Sequence, residues 1–168
     1  MKKIAILVAD IFDDKELFYP YIRLQEEGFK VDLVGAEKNT TYKSKFGAPA
    51  VSDVSSKDIT ADDYDAVVIP GGFSPDYMRR SKETIKFVSD MNNLKKPIAA
   101  ICHGPWMMIS SCHLKGRNVT GFFSIKDDIV NAGANYLDEE VVIDGNFITS
   151  RTPKDLPAFL KAIINALA

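Results

Sequence analysis

The segment AAICHGPWMM, residues 99–108, joins two apolar runs through a Cys-His-Gly-Pro turn. The run before the turn, residues 97–101, is short and entirely apolar, which is typical of a strand covered on both faces in a parallel sheet. The run after it, residues 106–109, is apolar on every side and predicts a buried, central helix. Two interpretations of Cys102 are open: a small hydrophobic core residue, or a nucleophile at the end of a strand.

The first 35 residues predict a βαβ unit. Residues 3–9 form a nearly continuous apolar run of strand length, and Lys30–Gly35 forms a second. Between them, Asp13 or Asp14 can cap a helix that Gly28 can end. Apolar residues on one face of this helix recur at i, i+4 and i+7: Leu17, Tyr21 and Leu24. Two strands that flank a helix in this way favour a parallel pair.

The same alternation continues to the end of the chain. Residues 36–60 are polar and predict short strands around a Gly-Ala-Pro turn, outside the main sheet. Strands at 65–69 and 97–101, with a helix between them, extend the parallel pattern. Residues 141–149 hold an Asp-Gly turn between β-branched runs, which predicts a hairpin, and a periodic helix follows. We therefore expect one α/β domain over residues 1–168: a three-layer α/β/α sandwich around a flavodoxin-like, mostly parallel sheet.

Composition narrows the class of protein. The 168 residues are 46% hydrophobic and carry a net charge of −2, with both signs spread along the chain. This predicts a folded domain with neither nucleic acid nor membrane as a partner. The short apolar run at the N-terminus favours a first strand over a signal peptide, and the 2 cysteines favour free thiols in a reducing cytoplasm.

Three distinctive loops follow predicted parallel strands: DIFDDKE (10–16), PGGFSPD (70–76) and CHGP (102–105). Ligands bind outside the carboxyl ends of the strands in open parallel sheets. Because all three loops would share this edge, we expect the functional site there.

Cys102 fits a nucleophile elbow, a sharp strand-to-helix turn that exposes its apical side chain. The helix N-terminus that follows predicts a lowered thiol pKa and a reactive thiolate. Cys112 has no such context and is expected to be structural. His103 is either a general acid or base, or an N-terminal helix residue with a local hydrogen bond. A direct contact with Cys102 needs an irregular turn, because adjacent residues on a regular element point to different faces.

Two further features could complete the site. Glu16, in the first turn of its helix, either balances the helix dipole or points towards Cys102. In the second case burial raises its pKa, and the protonated carboxyl can donate a hydrogen bond to the thiolate. Gly71 and Gly72 either form a plain turn or expose N–H groups that, with the N–H of His103, make an oxyanion hole.

The chain resembles the PfpI intracellular proteases, within the PfpI/deglycase superfamily and its glutamine-amidotransferase-like fold. The resemblance runs nearly end to end and rests on four segments in register: FDDKELFYPYIRLQEEG, DAVVIPGGFSPD, KPIAAICHGPWMM and IKDDIVNAGANYLDEEVVIDGNFITSRTPKDLPAF. It implies Cys102 as nucleophile, His103 as its partner, Glu16 as the carboxyl at the thiol, and an oxyanion site from the backbone of Gly72 and His103.

The resemblance also implies a homodimer or a larger homo-oligomer such as a hexamer. A carboxylate in the GGxxPE loop of a neighbouring subunit would orient His103. Here the loop is GGFSPD, so the matching residue is Asp76, one methylene shorter. Phe122 stands where close relatives often carry tyrosine, at the edge of the substrate site. The acidic pair Asp127 and Asp128 is expected to be structural and to pair with Arg151.

The implied activities are peptidase, cofactor-independent glyoxalase and deglycase. All three need a thiolate that attacks a carbonyl carbon, so the motifs do not separate them. Small carbonyl compounds fit a buried thiol better than long peptides do. No cofactor or metal is expected. The alternatives are an oxidative-stress sensor or chaperone that works through oxidation of Cys102, and a flavodoxin-like binding module.

Overall fold

A computed structural model describes all residues, 1–168, as one α/β unit. Its strands are β1 (Lys3–Leu7), β2 (Lys30–Gly35), β3 (Thr41–Lys43), β4 (Pro49–Val51), β5 (Val54–Ser55), β6 (Ala66–Ile69), β7 (Ile98–Ile101), β8 (Asn118–Val119), β9 (Asn135–Tyr136), β10 (Val141–Asp144) and β11 (Phe147–Ser150). Its α-helices are α1 (Asp14–Glu26), α2 (Ser74–Met78), α3 (Lys82–Asn93), α4 (Pro105–Ser111), α5 (Lys126–Asn131) and α6 (Leu156–Leu167). Short 3₁₀ turns precede β6, α5 and α6.

The main sheet has seven strands in the order β10-β11-β7-β6-β1-β2-β5. Every neighbouring pair is parallel except β10 and β11, which form an antiparallel hairpin at one edge. The two-residue turn of this hairpin is Gly145-Asn146, one residue later than the predicted Asp-Gly turn, because Asp144 still pairs with Phe147. Gly145 adopts φ +58°. The predicted mostly parallel sheet and its hairpin are confirmed.

Helices cover both faces of the sheet, so the predicted three-layer sandwich is also confirmed. Residues of β1 alternate between the two cores: Ile4 and Ile6 pack with α1 and α6, whereas Ala5 and Leu7 face the side of α3 and α4. All four are fully buried. None of the helices combines the length and apolarity that crossing a membrane requires.

Two local expectations need correction. The helix after Cys102, α4, has only seven residues, and Trp106 and Ile109 are half-buried. It therefore packs on β7 between α3 and α5 with one side partly open to solvent, and it is not buried on every side. The segment at 36–60 does form a separate two-stranded sheet, β3–β4, but β5 returns to the main sheet beside β2. The β3–β4 hairpin lies against the loop after β1, where Phe12 and Ser44 form a parallel bridge.

Candidate active site

Cys102 lies in a strained turn directly after β7. Its backbone φ is +61°, a left-handed conformation that non-glycine residues rarely adopt. Two hydrogen bonds hold it: its N–H donates to Ser150 O at 3.0 Å, and its carbonyl accepts from Phe122 N at 2.9 Å. A side chain at Gly104 would lie 2.6 Å from Ile69 O, so the turn also requires this glycine. The geometry is that of the predicted nucleophile elbow.

Glu16 lies beneath the same turn and is fully buried. Helix α1 begins there because Asp13 caps it, accepting from Lys15 N at 3.0 Å and from Glu16 N at 3.2 Å. Glu16 Oε2 accepts from Gly71 N at 2.7 Å, while Oε1 has no hydrogen-bond partner. Burial, and then the nearby charge of Asp13, raises the pKa of Glu16 to about 8. At pH 7 most of the Glu16 carboxyl is therefore protonated.

The Glu16 carboxyl and the Cys102 thiol are neighbours across Gly71. A Cβ added to Gly71 would lie 2.5 Å from Glu16 Oε2 and 2.9 Å from Cys102 Cβ. The two groups also perturb each other's ionisation. The free oxygen of Glu16, once protonated, can donate to the sulfur. The structure thus points the Glu16 side chain towards Cys102, as the second of the two sequence interpretations predicted.

The expected lowering of the thiol pKa is wrong in direction. Burial, followed by the carboxyl of Glu16, raises the pKa of Cys102 above its ordinary range. The N–H of His103 faces the sulfur and acts in the opposite sense, but burial outweighs it. Cys112 caps the carboxyl end of α4, as expected of a structural residue, and burial raises its pKa to about 11.

His103 contacts the thiol directly. Nδ1 lies 3.3 Å from Cys102 Sγ, since the left-handed turn lets two adjacent side chains converge. Nε2 lies 3.4 Å from Ser124 Oγ. The rings of Trp106 and Phe122 flank the imidazole, with centroids 4.9 and 5.2 Å away. Burial, and then the charge of Lys45, lowers the pKa of His103, so the imidazole is neutral and can accept a proton.

Gly71 and Gly72 differ in whether their N–H groups are free to bind an oxyanion. Gly71 cannot serve as an oxyanion donor, because its N–H is bound to Glu16. Gly72, at φ +70°, has no room for a side chain, which would collide with the backbone of Ile11 and Asp13. Its N–H has no acceptor in the protein. Of the two glycines, only Gly72 therefore has an unused N–H, and its role as an oxyanion donor stays a prediction.

Two acidic residues outside α1, Asp76 and Asp128, form side-chain contacts within the chain. Asp76 lies on α2 and binds Arg79 at 3.2 Å and Arg80 at 2.7 Å, and Arg80 is the main cause of its lowered pKa. It does not contact His103 of its own chain, and contact with a neighbouring subunit stays a prediction. Asp128 does not pair with Arg151 as expected, but accepts from Trp106 Nε1 at 2.9 Å.

Arg151 instead binds Asp155 at 2.9 Å and Asp138 at 3.0 Å. Asp155 follows Arg151 by four residues and is buried, so this pair forms within one local turn. Asp127 has no side-chain hydrogen bond or salt bridge, and the acidic pair therefore does not act as a unit.

The sequence analysis missed two polar residues beside the site. Lys45, at the tip of the β3–β4 hairpin, binds Asp13 Oδ2 at 2.5 Å. Ser124 is the neighbour of His103 Nε2. Neither lies in a loop that follows a strand of the main sheet, and both reach the site through tertiary packing. The only signal in the sequence was the cation in TYKSKFG, which periodicity does not distinguish from a solvated lysine.

Fold and site together define an α/β protein that presents a cysteine on a strained strand-to-helix turn, beside a histidine and a buried carboxyl. Residues 2–166 match the model of the DJ-1/PfpI family. The chain belongs to this family.

Relatives of similar length support the assignment. The chain is 44% identical to the Bacillus subtilis protein YraA, whose name proposes a cysteine protease activity, over 99% of this chain and 98% of YraA. It is 41% identical to a Pyrococcus furiosus protein named deglycase PfpI, over 98% of this chain and 99% of that one.

Solved structures agree. A two-domain protein from Anabaena variabilis, with DJ-1/ThiJ/PfpI-like and ferritin-like domains, superposes with a TM-score of 0.97 at 44% identity. The match covers 99% of this chain and 48% of that one, so this chain spans about half of the two-domain protein. Drosophila melanogaster DJ-1beta superposes with a TM-score of 0.93 at 28% identity, covering 99% of this chain and 90% of that one.

Proposed function

We propose that this chain is a cofactor-independent cysteine hydrolase in which Cys102 attacks a carbonyl carbon. The observation that carries the proposal is the contact of 3.3 Å between Cys102 Sγ and Nδ1 of a neutral His103. A nucleophile within reach of its base is the basic requirement of covalent catalysis. Relatives named as a cysteine protease and a deglycase point to the same chemistry.

The raised thiol pKa determines how the attack begins. Cys102 rests as a thiol, so its proton must leave as the sulfur adds to the carbonyl. With the imidazole proton on Nε2, facing Ser124 Oγ, Nδ1 accepts the thiol proton. The N–H groups of Gly72 and His103 then stabilise the oxyanion. With a peptide, His103 returns the proton to the leaving amine, and an acyl thioester remains on Cys102. Methylglyoxal has no leaving group, so the hemithioacetal formed from it must transfer a proton from C1 to C2, through an enediol, to become a lactoyl thioester. Water then hydrolyses either thioester.

Glu16 contributes as a neutral acid. A protonated carboxyl donates a hydrogen bond to sulfur without adding a negative charge beside it. An ionised Glu16 would repel a thiolate. The raised pKa of about 8 thus makes the carboxyl compatible with an anionic intermediate at neutral pH.

We favour small α-oxoaldehydes such as methylglyoxal, or the adducts they form on proteins, as substrates. Cys102 is only 9% exposed, and Phe122 and Trp106 flank its histidine. The open cavity of about 300 Å³ lined by Phe122 and Arg151 borders the site at Phe122 and does not include Cys102 or His103. A small carbonyl reaches such a thiol more readily than an extended peptide does. Peptidase activity is the alternative.

Turnover by two matched serine variants tests the proposal. Wild type, Cys102→Ser and Cys112→Ser are each given methylglyoxal and a fluorogenic peptide. We expect Cys102→Ser to lose all measurable turnover and Cys112→Ser to retain it. Equal turnover by wild type and Cys102→Ser on a substrate would exclude Cys102 from that reaction. The substrate that wild type consumes separates deglycase or glyoxalase from peptidase activity.

Assembly into a homodimer or larger homo-oligomer, hexamer included, belongs to the same proposal. Near the site, Phe73 is 42% exposed and Phe123 is 73% exposed. Exposed aromatic side chains of this kind favour burial of the surface against another subunit. A neighbour's Asp76 could then reach His103. Light scattering measures the mass, and an active monomer would exclude a role for Asp76 between subunits. A cytoplasmic location stays a prediction.

A second function, oxidation sensing, is favoured by the free Glu16 oxygen. Two equivalents of hydrogen peroxide convert a thiol to a sulfinic acid and release two waters. A protonated Glu16 beside the sulfur can donate to the sulfinate oxygens. Mass spectrometry after mild peroxide treatment should show sulfinate at Cys102 before Cys112. Equal oxidation of both cysteines would argue against a sensor.

A further inference from the structure

Ser124 lies on a turn that is fastened to the backbone of the cysteine elbow. Phe122 N donates to the carbonyl oxygen of Cys102 at 2.9 Å, and Ile125 N donates to Phe122 O at 3.0 Å. The side chain of Ile125 is buried in the core, so it anchors the short 3₁₀ turn that carries Ser124. The fold therefore fixes where the Ser124 hydroxyl lies relative to the elbow.

The Nε2 atom of His103 has a single hydrogen-bond partner in the chain, Ser124 Oγ at 3.4 Å. Trp106 packs against the imidazole, but its Nε1–H is donated to Asp128 at 2.9 Å. Asp76 is bound by two arginines and does not contact His103 of its own chain. Within one chain, the hydroxyl of Ser124 is thus the group that meets this nitrogen.

The other ring nitrogen decides the direction of this hydrogen bond. Nδ1 lies 3.3 Å from Cys102 Sγ. Burial raises the pKa of Cys102, so the sulfur carries a proton and Nδ1 is its acceptor. A neutral imidazole has one N–H and one acceptor nitrogen, which places the N–H on Nε2. The Ser124 oxygen can accept from it, and because Ser124 is exposed, the hydroxyl hydrogen stays free for solvent.

We propose that Ser124 is a positioning residue whose Oγ holds the proton of the neutral imidazole on Nε2 and so keeps Nδ1 open towards the thiol of Cys102. This inference rests on the proposed attack by Cys102 and adds a third member to its proton transfer. When the thiol proton moves from sulfur to Nδ1, the imidazolium has two N–H groups. Both then have an acceptor, the sulfur anion at Nδ1 and Ser124 Oγ at Nε2.

Nitrogen-15 NMR of the 2 histidines measures the tautomer without any substrate. At about pH 8, where neutral imidazole prevails, His103 of the wild type should show a protonated Nε2 and an unprotonated Nδ1. Ser124→Ala should shift both signals towards the mixed tautomers of an unrestrained imidazole. Ser124→Thr keeps the hydroxyl and should retain the wild-type signals. His113 is exposed and serves as the internal reference, with the same signals in every variant.

Alkylation of Cys102 by iodoacetamide, in a Cys112→Ser background, measures the consequence for the thiol. Ser124→Ala should lower the second-order rate about tenfold, the equivalent of about 1.4 kcal/mol, because the imidazolium loses a charge-assisted hydrogen bond. Ser124→Thr should retain the rate. Ser110→Ala is the matched control, since it removes an exposed serine hydroxyl of α4 that contacts only the backbone of Trp106.

A protonated Nδ1 in the wild type would overturn the proposal, as would unchanged signals or an unchanged rate in Ser124→Ala. The same changes in Ser110→Ala, or their appearance in Ser124→Thr, would also overturn it, because the Ser124 hydroxyl would then not be their cause. If the tautomer and the alkylation rate depend on Ser124 but wild type turns over no carbonyl substrate, only the proposed function fails. If turnover requires Cys102 but Ser124→Ala keeps the wild-type tautomer, only this inference fails.

Discussion

Replacing Glu16 by glutamine should make the stability of the protein far less dependent on pH. The carboxyl is fully buried, and its pKa rises from 4.5 to about 8 on folding. Between these pH values the native state keeps a proton that the unfolded chain has lost. Stability therefore falls as pH rises through this window. Glutamine fills the same volume, still offers an oxygen to Gly71 N, and does not ionise.

The size of the effect follows from the two pKa values. Their difference, at 1.36 kcal/mol for each pH unit, corresponds to about 5 kcal/mol of stability lost by wild type across the window. Between pH 5 and pH 8, Glu16→Gln should gain about 3.5 kcal/mol relative to wild type. Titration of His103 in this range affects both proteins equally and cancels from the comparison.

Urea denaturation at several pH values between 5 and 8 measures this difference. Glu26→Gln, an exposed substitution on the same helix, is the control and should track wild type. Parallel curves of unfolding free energy against pH for wild type and Glu16→Gln would refute the reasoning. They would mean that Glu16 ionises in the native state as it does in the unfolded chain.

Two further substitutions test the packing. Gly71→Ala should cost about 1–3 kcal/mol in urea denaturation and slow alkylation of Cys102, because its Cβ overlaps the site. Gly28→Ala, at φ +83° in open space, should cost about 1 kcal/mol and leave alkylation unchanged, and equal alkylation rates in both variants would contradict this account. Met91→Ala, in the fully buried core, should cost about 2–5 kcal/mol, and a loss below 1 kcal/mol would mean that the core refills the space.

The sheet could be predicted because its signals are local. β2 spans the same residues, Lys30–Gly35, as its apolar run, and Asp13 caps α1 as its position suggested. The short helix α2 was missed, since five residues carry no periodicity. The half-exposure of Trp106 was missed because composition reports apolarity and not which neighbours cover a helix.

The part of the candidate site that depends only on the topology of the sheet could be predicted from the sequence. Convergence of three loops at one sheet edge brought Glu16, Gly71 and Cys102 together. The thiol pKa was predicted in the wrong direction, because burial is a tertiary property that outweighs a local helix terminus. Lys45 escaped prediction for the same reason, since the contact between its hairpin and the first loop is non-local.

The backbone conformation of Cys102 has a consequence for heat inactivation. A non-glycine residue at φ +61° costs about 1–3 kcal/mol, and only its neighbours keep it there. One of these is Ser150 O, at the end of β11, next to the outermost strand of the sheet. Fraying at that margin would release Cys102 to a relaxed φ and turn its thiol away from His103. The proposed reactivity of Cys102 towards carbonyls should therefore be lost several degrees below the melting temperature of the main sheet, because it depends on the pairing of β10 with β11 next to Ser150.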